Sequence, residues 1–192
     1  MFSGIVATTL PYLGEQGSKH RFSIASWPVA IELGSSVAVN GVCLTAVEVD
    51  PEYFAVEIVP ETFRRSNLGA LVPGDRVNVE QSITLATLLD GNLVQGHVDA
   101  TAEVLVAPPV LRLSLPPGFE GLVVEKGAIT VNGVALTISA LGEGFFEVAL
   151  IPETLRRTNL GALALGDRVN VEFDLVGKYL ARMIEVRGRA FG

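Results

Sequence analysis

Residues 60 to 80 read PETFRRSNLGALVPGDRVNVE, and residues 152 to 172 read PETLRRTNLGALALGDRVNVE. The offset is 92 residues, and holding it without a gap carries Asn40-Gly41-Val42 onto Asn132-Gly133-Val134, Leu44-Thr45 onto Leu136-Thr137, and Gly4 and Val6 onto Gly96 and Val98. Between residues 36–80 and 128–172, 25 of 45 positions are identical. The chain is one unit written twice. A length of 192 residues at roughly 150 per domain would give little more than one domain. The repeat replaces that estimate with two units, expected at 1–90 and 91–174, followed by a terminal segment at 175–192.

Working outward, Val37 and Val39 precede Asn40-Gly41 while Val42 and Leu44 follow it, a strand, tight turn, strand signal. Phe22 and Ile24 share one face of a strand, and Phe54, Val56 and Ile58 share one face of another that ends at Pro60. Phe2 to Thr9 reads as a first strand, with Pro11, Gly14 and Gly17 marking residues 11 to 20 as a turn region. Glu61 to Leu68 reads as one or two helical turns closed by Gly69 in the left-handed region. Gly74-Asp75 then turns the chain into Arg76 to Glu80, whose valines point one way and whose polar residues point the other. Residues 81 to 95 link the units, and most of the signals recur after them. The expected fold is all-β, two tandem antiparallel barrels of about six short strands. After Asp174 the period changes: Leu175, Val176, Tyr179, Leu180, Met183 and Ile184 make the stripe of an amphipathic helix. The first unit is followed by no such helix, so the stripe is assigned to assembly, with packing on its own barrel as the other reading.

Hydrophobic residues make up 49% of the chain and charged residues 18%, a balance that contact between units or subunits would account for. The net charge of −7 argues against a nucleic-acid partner, because phosphate binding draws on clustered Lys and Arg. Arg64-Arg65 and Arg156-Arg157 are locally basic and are read as solvated helix faces. A lone Cys43 forms no internal disulfide, offers no cysteine metal site and fits a reducing compartment. Met1-Phe2-Ser3-Gly4 lacks the features of a secretory signal, and the apolar runs stop well short of the roughly 20 residues of a membrane span. A cytoplasmic protein with no membrane partner is expected.

Met1-Phe2-Ser3-Gly4-Ile5-Val6, Asn40-Gly41-Val42-Cys43-Leu44-Thr45, Gly96-His97-Val98-Asp99 and the doubled Pro-Glu-Thr-x-Arg-Arg-x-Asn-Leu-Gly stand in order, with Asp174 and Gly177-Lys178-Tyr179 after them. In this combination the chain resembles the riboflavin synthase family of the alpha-chain type over essentially its whole length. The resemblance implies two six-stranded Greek-key barrels, a homotrimer held partly by the C-terminal helices, and sites where the first barrel of one subunit faces the second barrel of a neighbour. The implied reaction is a dismutation: one 6,7-dimethyl-8-ribityllumazine donates a four-carbon unit to a second, giving riboflavin and 5-amino-6-(ribitylamino)uracil. It implies no cofactor and no metal, and lumazine synthase as a candidate further partner.

Carried over residue by residue, the first pocket is expected to comprise Gly4, Ile5, Val6, Cys43, Leu44, Thr45, Glu57, Ile58, Val59, Pro60, Glu61 and Thr62. The second is expected to comprise Gly96, His97, Val98, Lys126, Ala135, Leu136, Thr137, Ala149, Leu150, Ile151, Pro152, Glu153 and Thr154. Strand-edge backbone groups suit the pyrimidine edge of the ring, and Thr hydroxyls and carboxylates suit the ribityl hydroxyls.

A reaction between two identical molecules must tell donor from acceptor, so positions where the repeat breaks are the candidates. These are Cys43 against Ala135, His97 against Ile5, Asp99 against Ala7, Ser36 against Ala128, and Asp174 against Ser82. The catalytic candidates are Cys43, His97, Thr137, Ser36 and Asp174. A neutral imidazole at His97 suits transfer of the C7-methyl proton of the lumazine; a strand histidine with a structural hydrogen bond is the other reading. Cys43 suits addition to the ring or its orientation, or is a small buried hydrophobe. Asp174 is a catalytic carboxylate or a helix N-cap. Two features depart from the family pattern: Ala135 stands where a Ser is usual, and Asp90-Gly91-Asn92 where Gly-Gly-His is common. They favour the competing reading, a non-catalytic lumazine- or flavin-binding protein of the same fold.

Overall fold

The computed structural model describes residues 1–25, 27 and 30–190, with side chains through residue 187. Six strands form a first closed barrel: β1 (Thr8–Gln16), β2 (Lys19–Ser23), β3 (Ser36–Val39), β4 (Val42–Val49), β5 (Tyr53–Glu57) and β6 (Arg76–Gln81), in the order β1-β2-β5-β4-β3-β6. A second barrel repeats that order with β7 (Ala100–Val106), β8 (Val110–Ser114), β9 (Ala128–Val131), β10 (Val134–Gly142), β11 (Phe145–Ala149) and β12 (Arg168–Phe173). Each barrel carries one short helix, α1 (Pro60–Arg65) or α2 (Pro152–Arg157), and α3 (Leu175–Ala190) ends the chain. The fold is the expected pair of all-β barrels with a terminal helix. Among the described residues, no helix is long and apolar enough to cross a membrane.

The Asn-Gly turns form as expected, with Asn40 and Asn132 at φ 45° and their glycines at 77° and 79°. Two local expectations are corrected. The first strand is not Phe2 to Thr9 but Thr8–Gln16, because Thr8 to Pro11 pair with β6 while Tyr12 to Gln16 pair with β2 around a bulge at Tyr12 and Gly14. Pro11 and Gly14 thus bend a strand around the barrel instead of ending it. Helix α1 is not closed by Gly69: Ser66 is extended, its hydroxyl accepts from Leu68 N–H at 3.4 Å, and Gly69 lies inside the 3-10 turn that follows, Asn67–Ala70.

Inside each barrel the alternating apolar residues form a separate core, with Phe22, Phe54 and Val37 in the first and Phe146, Ile129 and Phe173 in the second. The alternation of β6 and β12 gives them a polar face without saying what that face meets. Asn78 and Asn170 are 1% exposed and Glu80 and Glu172 are 7% and 4% exposed, because those faces lie between the barrels. Asn78 Nδ2 donates to Asn132 O at 2.8 Å and Asn78 Oδ1 accepts from Asn159 N–H at 2.7 Å. Its repeat mate does the reverse: Asn170 Nδ2 donates to Asn40 O at 2.8 Å, and Asn170 Oδ1 accepts from Asn67 N–H at 2.6 Å. Every strut of this lattice satisfies a buried group that would otherwise be orphaned.

The segments ahead of each barrel cross over. Phe2 and Val94 exchange backbone hydrogen bonds of 2.7 and 3.1 Å, after which Val6 enters the core of the second barrel and Val98 packs on the core of the first. Glu80 fixes one segment through Ser3 N–H and Gly4 N–H at 2.7 and 3.0 Å; Glu172 fixes the other through Gln95 N–H and Gly96 N–H at 2.7 and 2.9 Å. Burial pushes both carboxyls above the ordinary Glu value of 4.5, against the pull of these backbone donors.

Two outcomes are expected. Asn170→Ala leaves Asn67 N–H and Asn40 C=O without their partner in a buried seam, and should lower the unfolding free energy by about 2 to 4 kcal/mol in denaturant titration; a loss below about 1 kcal/mol would contradict the lattice. Glu80 and Glu172 take up protons at higher pH in the folded chain than in the unfolded one, so their contribution to stability grows as pH falls from 7 towards 4.5. The double variant Glu80→Gln with Glu172→Gln should lack that increase when unfolding midpoints are compared across this range.

Candidate functional site

Strand β4 alternates, so Val42 and Leu44 enter the first core while Cys43 and Thr45 stand on the outer face. Gly96, brought over by the crossing, lies directly on that face. Cys43 N–H donates to Gly96 O at 2.8 Å, and a Cβ on Gly96 would fall 2.6 Å from the Cys43 Cβ. A cleft of about 160 Å³ opens there, lined by Val42, Cys43, Glu61, Thr62, Arg65, Ser66, Gly96, His97 and Val98.

This differs from the division carried over from the resemblance. Gly96-His97-Val98 belongs with Cys43 and Thr62 in the first cleft. Gly4-Ile5-Val6 belongs with the second barrel, where Ala135 N–H donates to Gly4 O at 2.8 Å and a Cβ on Gly4 would fall 2.6 Å from the Ala135 Cβ. The exchange sorts the residues that break the repeat. Cys43 and His97 line one cleft; Ala135 and Ile5 stand at the matching place on the second barrel.

The remaining predicted residues fall at the edges of these two places. Ser36 faces Thr45 across β3 and β4, whereas Thr137 faces Ala128 across β9 and β10. Glu57, Ile58, Val59 and Pro60 run from the end of β5 into α1, and Ala149, Leu150, Ile151 and Pro152 run from β11 into α2. Val59 and Ile151 are 61% and 64% exposed, apolar side chains left uncovered at equivalent points. Thr62 and Thr154 are half-buried, and Glu61 and Glu153 are exposed. Glu61 pairs with Arg65 and Arg64, whose hydrogen bond and charge respectively hold its carboxyl below the ordinary range; Glu153 is held low by its hydrogen bond to Arg156. Arg65 and Ser66 line the cleft although the sequence reading did not select them. The signal was present: Arg65 is one turn after Glu61 on α1.

Asp174 caps α3, its Oδ1 accepting from Val176 N–H at 2.7 Å and Gly177 N–H at 3.3 Å. The adjoining Lys178 reaches Asp99 at 2.9 Å, and Asp99 also accepts from Phe173 N–H at 2.9 Å. Lys126 takes φ 67° where its repeat mate Gly34 takes 85°. A lysine in the left-handed region where glycine is at ease carries strain of the kind found at functional positions. The two departures from the family pattern are neighbours. A Cβ on Gly91 would fall 3.1 Å from the Ala135 Cβ, and Asn92 N–H donates to Ser3 O at 2.9 Å.

A larger groove of about 980 Å³ lies elsewhere, between Asn40 and Asn132, and its walls are repeat-related pairs such as Arg76 with Arg168 and Asp75 with Asp167. Arg76 and Arg168 are engaged by Thr9 and Thr101, and Arg64 and Arg156 by Glu61 and Glu153. The two halves of that groove match, whereas the smaller cleft gathers Cys43 and His97, which break the repeat, and is the candidate site. Among the described residues, no cluster of three or more His, Cys, Asp or Glu side chains is arranged to hold a metal ion.

Comparison with known proteins shows the family and the fold. The lumazine binding domain family matches twice, at residues 3–82 and 95–174. Riboflavin synthase of Mycobacterium tuberculosis (strain ATCC 25618 / H37Rv) is 44% identical over 201 residues, covering 98% of this chain and 100% of that protein. Riboflavin synthase of Bacillus subtilis (strain 168) is 34% identical over 193 residues, covering 96% and 90%. The crystal structure of LumP complexed with riboflavin has the same fold, with a TM-score of 0.79 and 24% identity over 90% of this chain and 99% of that one. With two lumazine binding domains and full-length likeness to these enzymes, the chain belongs to the riboflavin synthase family, transferases of riboflavin biosynthesis.

Proposed function

We propose that the chain catalyses the dismutation of two 6,7-dimethyl-8-ribityllumazine molecules, one passing its four-carbon unit to the other to leave riboflavin and 5-amino-6-(ribitylamino)uracil. The observation that carries this reading is the gathering of Cys43 and His97, each of which breaks the repeat, at one cleft. The reaction needs two like pockets with unlike chemistry, and crossed segments on a duplicated barrel supply that. His97 is the group suited to take the C7-methyl proton, with Cys43 against the ring and Thr62 available to the ribityl chain. Holding two substrates in a reactive geometry supplies on the order of 7 to 11 kcal/mol without any cofactor.

The cleft's volume of about 160 Å³ is below the roughly 300 Å³ at which small-molecule pockets begin. Ile5, Val59 and Ile151 are 48%, 61% and 64% exposed. Both features fit a site completed by a neighbouring subunit, the first barrel of one against the second barrel of another. The assembly proposed is a homotrimer through α3. Its Val176, Tyr179, Leu180, Met183 and Ile184 are each more than half exposed, and the contacts with the barrel lie near its start, at Gly177 and Lys178. LumP, crystallised with riboflavin and with the ribityllumazine itself, supplies the alternative of binding without turnover. The lack of a hydroxyl at Ala135 favours that alternative.

Purified protein given the lumazine alone should form riboflavin and the uracil product in equal amounts. His97→Ala should lower kcat by about a hundredfold, and Ala135→Ser should change it by no more than roughly twelvefold, the worth of one neutral hydrogen bond. Tight binding without product would replace the enzyme reading with the binding one. In sedimentation, the intact chain should run as a trimer and a chain stopped after Asp174 should not; a trimer that survives the truncation would remove α3 from the interface.

A further inference from the structure

Segment 95–99 carries His97 to the first cleft and is held by the second barrel. Glu172 lies on β12 opposite Thr130 of β9, yet both of its carboxylate oxygens face the crossing segment. Oε1 accepts from Gln95 N–H at 2.7 Å and Oε2 from Gly96 N–H at 2.9 Å. Two parallel backbone donors call for a forked acceptor, and a carboxylate is the side chain that provides one. The Gly96 carbonyl is used as well, accepting from Cys43 N–H at 2.8 Å. Gly96 is thereby fixed from both sides at φ 79°, with no space for a Cβ against Cys43. His97 follows directly, and Val98 anchors in the first core.

A second tie holds the far end of the segment. Asp99 accepts from Phe173 N–H and pairs with Lys178, so neighbouring residues of β12 grip both ends of the stretch that bears His97. The repeat mate has Glu80 but lacks the second tie, because Ala7 replaces Asp99. Glu80 accepts from Ser3 and Gly4 and so fixes Ile5 at the second barrel.

We propose that Glu172 is the positioning residue of the cleft: through Gln95 N–H and Gly96 N–H it holds His97 where Cys43 lines it, while Glu80 serves Ile5 at the second barrel. The role in catalysis rests on the reaction put forward above; the control of the segment does not. Cys43 is the only cysteine in the chain and Gly96 lies on it, so the rate of its alkylation reports whether the segment is in place.

The test uses the full-length protein and iodoacetamide. Glu172→Ala should raise the Cys43 alkylation rate about tenfold through local opening, whereas Glu80→Ala should keep it within about twofold of the parent. Both variants lose the acceptor of two backbone N–H groups, so the fall in melting temperature common to both measures the structural share. Glu172→Gln, which keeps one amide oxygen as acceptor, should fall between the parent and Glu172→Ala. With the lumazine as substrate, kcat should fall further in Glu172→Ala than in Glu80→Ala. Equal acceleration of alkylation in both variants, or none in either, would overturn the proposal. If Glu172→Ala does not fold, the same comparison of Glu172→Gln with Glu80→Gln decides. A parent protein that yields no riboflavin would remove the catalytic reading while the alkylation result still stands or falls by itself.

Discussion

Gly41 and Gly133 meet back to back, and on that contact the arrangement of the molecule depends. A Cβ on Gly41 would fall 2.6 Å from Gly133 N, and one on Gly133 would fall 2.8 Å from Gly41 N. Each glycine is demanded twice, once by the positive φ of its hairpin turn and once by the partner turn. Their touching sets the approximate two-fold relation between the barrels and brings the asparagines that flank them within reach of β6 and β12. Asn78 and Asn170 then donate across the seam to the carbonyls of Asn132 and Asn40, while the Asn40 and Asn132 side chains each accept from the last strand of their own barrel. Such a seam fixes register, since each amide has a single carbonyl it can satisfy.

From that register follows the unequal make-up of the two halves. A duplication with each leading segment kept on its own barrel would have placed His97 beside Ala135 and Ile5 beside Cys43. Crossing the segments puts His97 and Cys43 together at the first barrel and leaves Ile5 and Ala135, both apolar, at the matching place on the second. Differences that look scattered along the sequence, at 5, 43, 97 and 135, are thus two paired differences in space.

Much of the fold was legible because the signals are local. The Asn-Gly turns and the alternation in β3 to β6 each depend on neighbours within a few residues, and the 92-residue repeat shows the same local signals a second time. The limits of β1 were misread because Pro11 and Gly14 end strands in flat sheets but bend them in barrels. The burial of Asn78 and Glu80 was out of reach for a related reason: a period of two says that one face is polar and does not say what that face meets. The resemblance named the candidate residues, but which barrel each leading segment lies against could not be read from it. Val6 and Val98 occupy equivalent places in the repeat, and no feature of an aligned pair of segments tells which barrel each one enters.

The crossing has a consequence for how the protein responds to a ligand. Val98, which helps complete the first core, belongs to a segment tied to the second barrel, and Val6 is placed the opposite way. Unfolding the second barrel therefore strips Gly96, His97 and Val98 from the cleft on the first. By linkage, a molecule held in one cleft stabilises both barrels, so occupancy of one half of the chain is felt as rigidity in the half that stays empty.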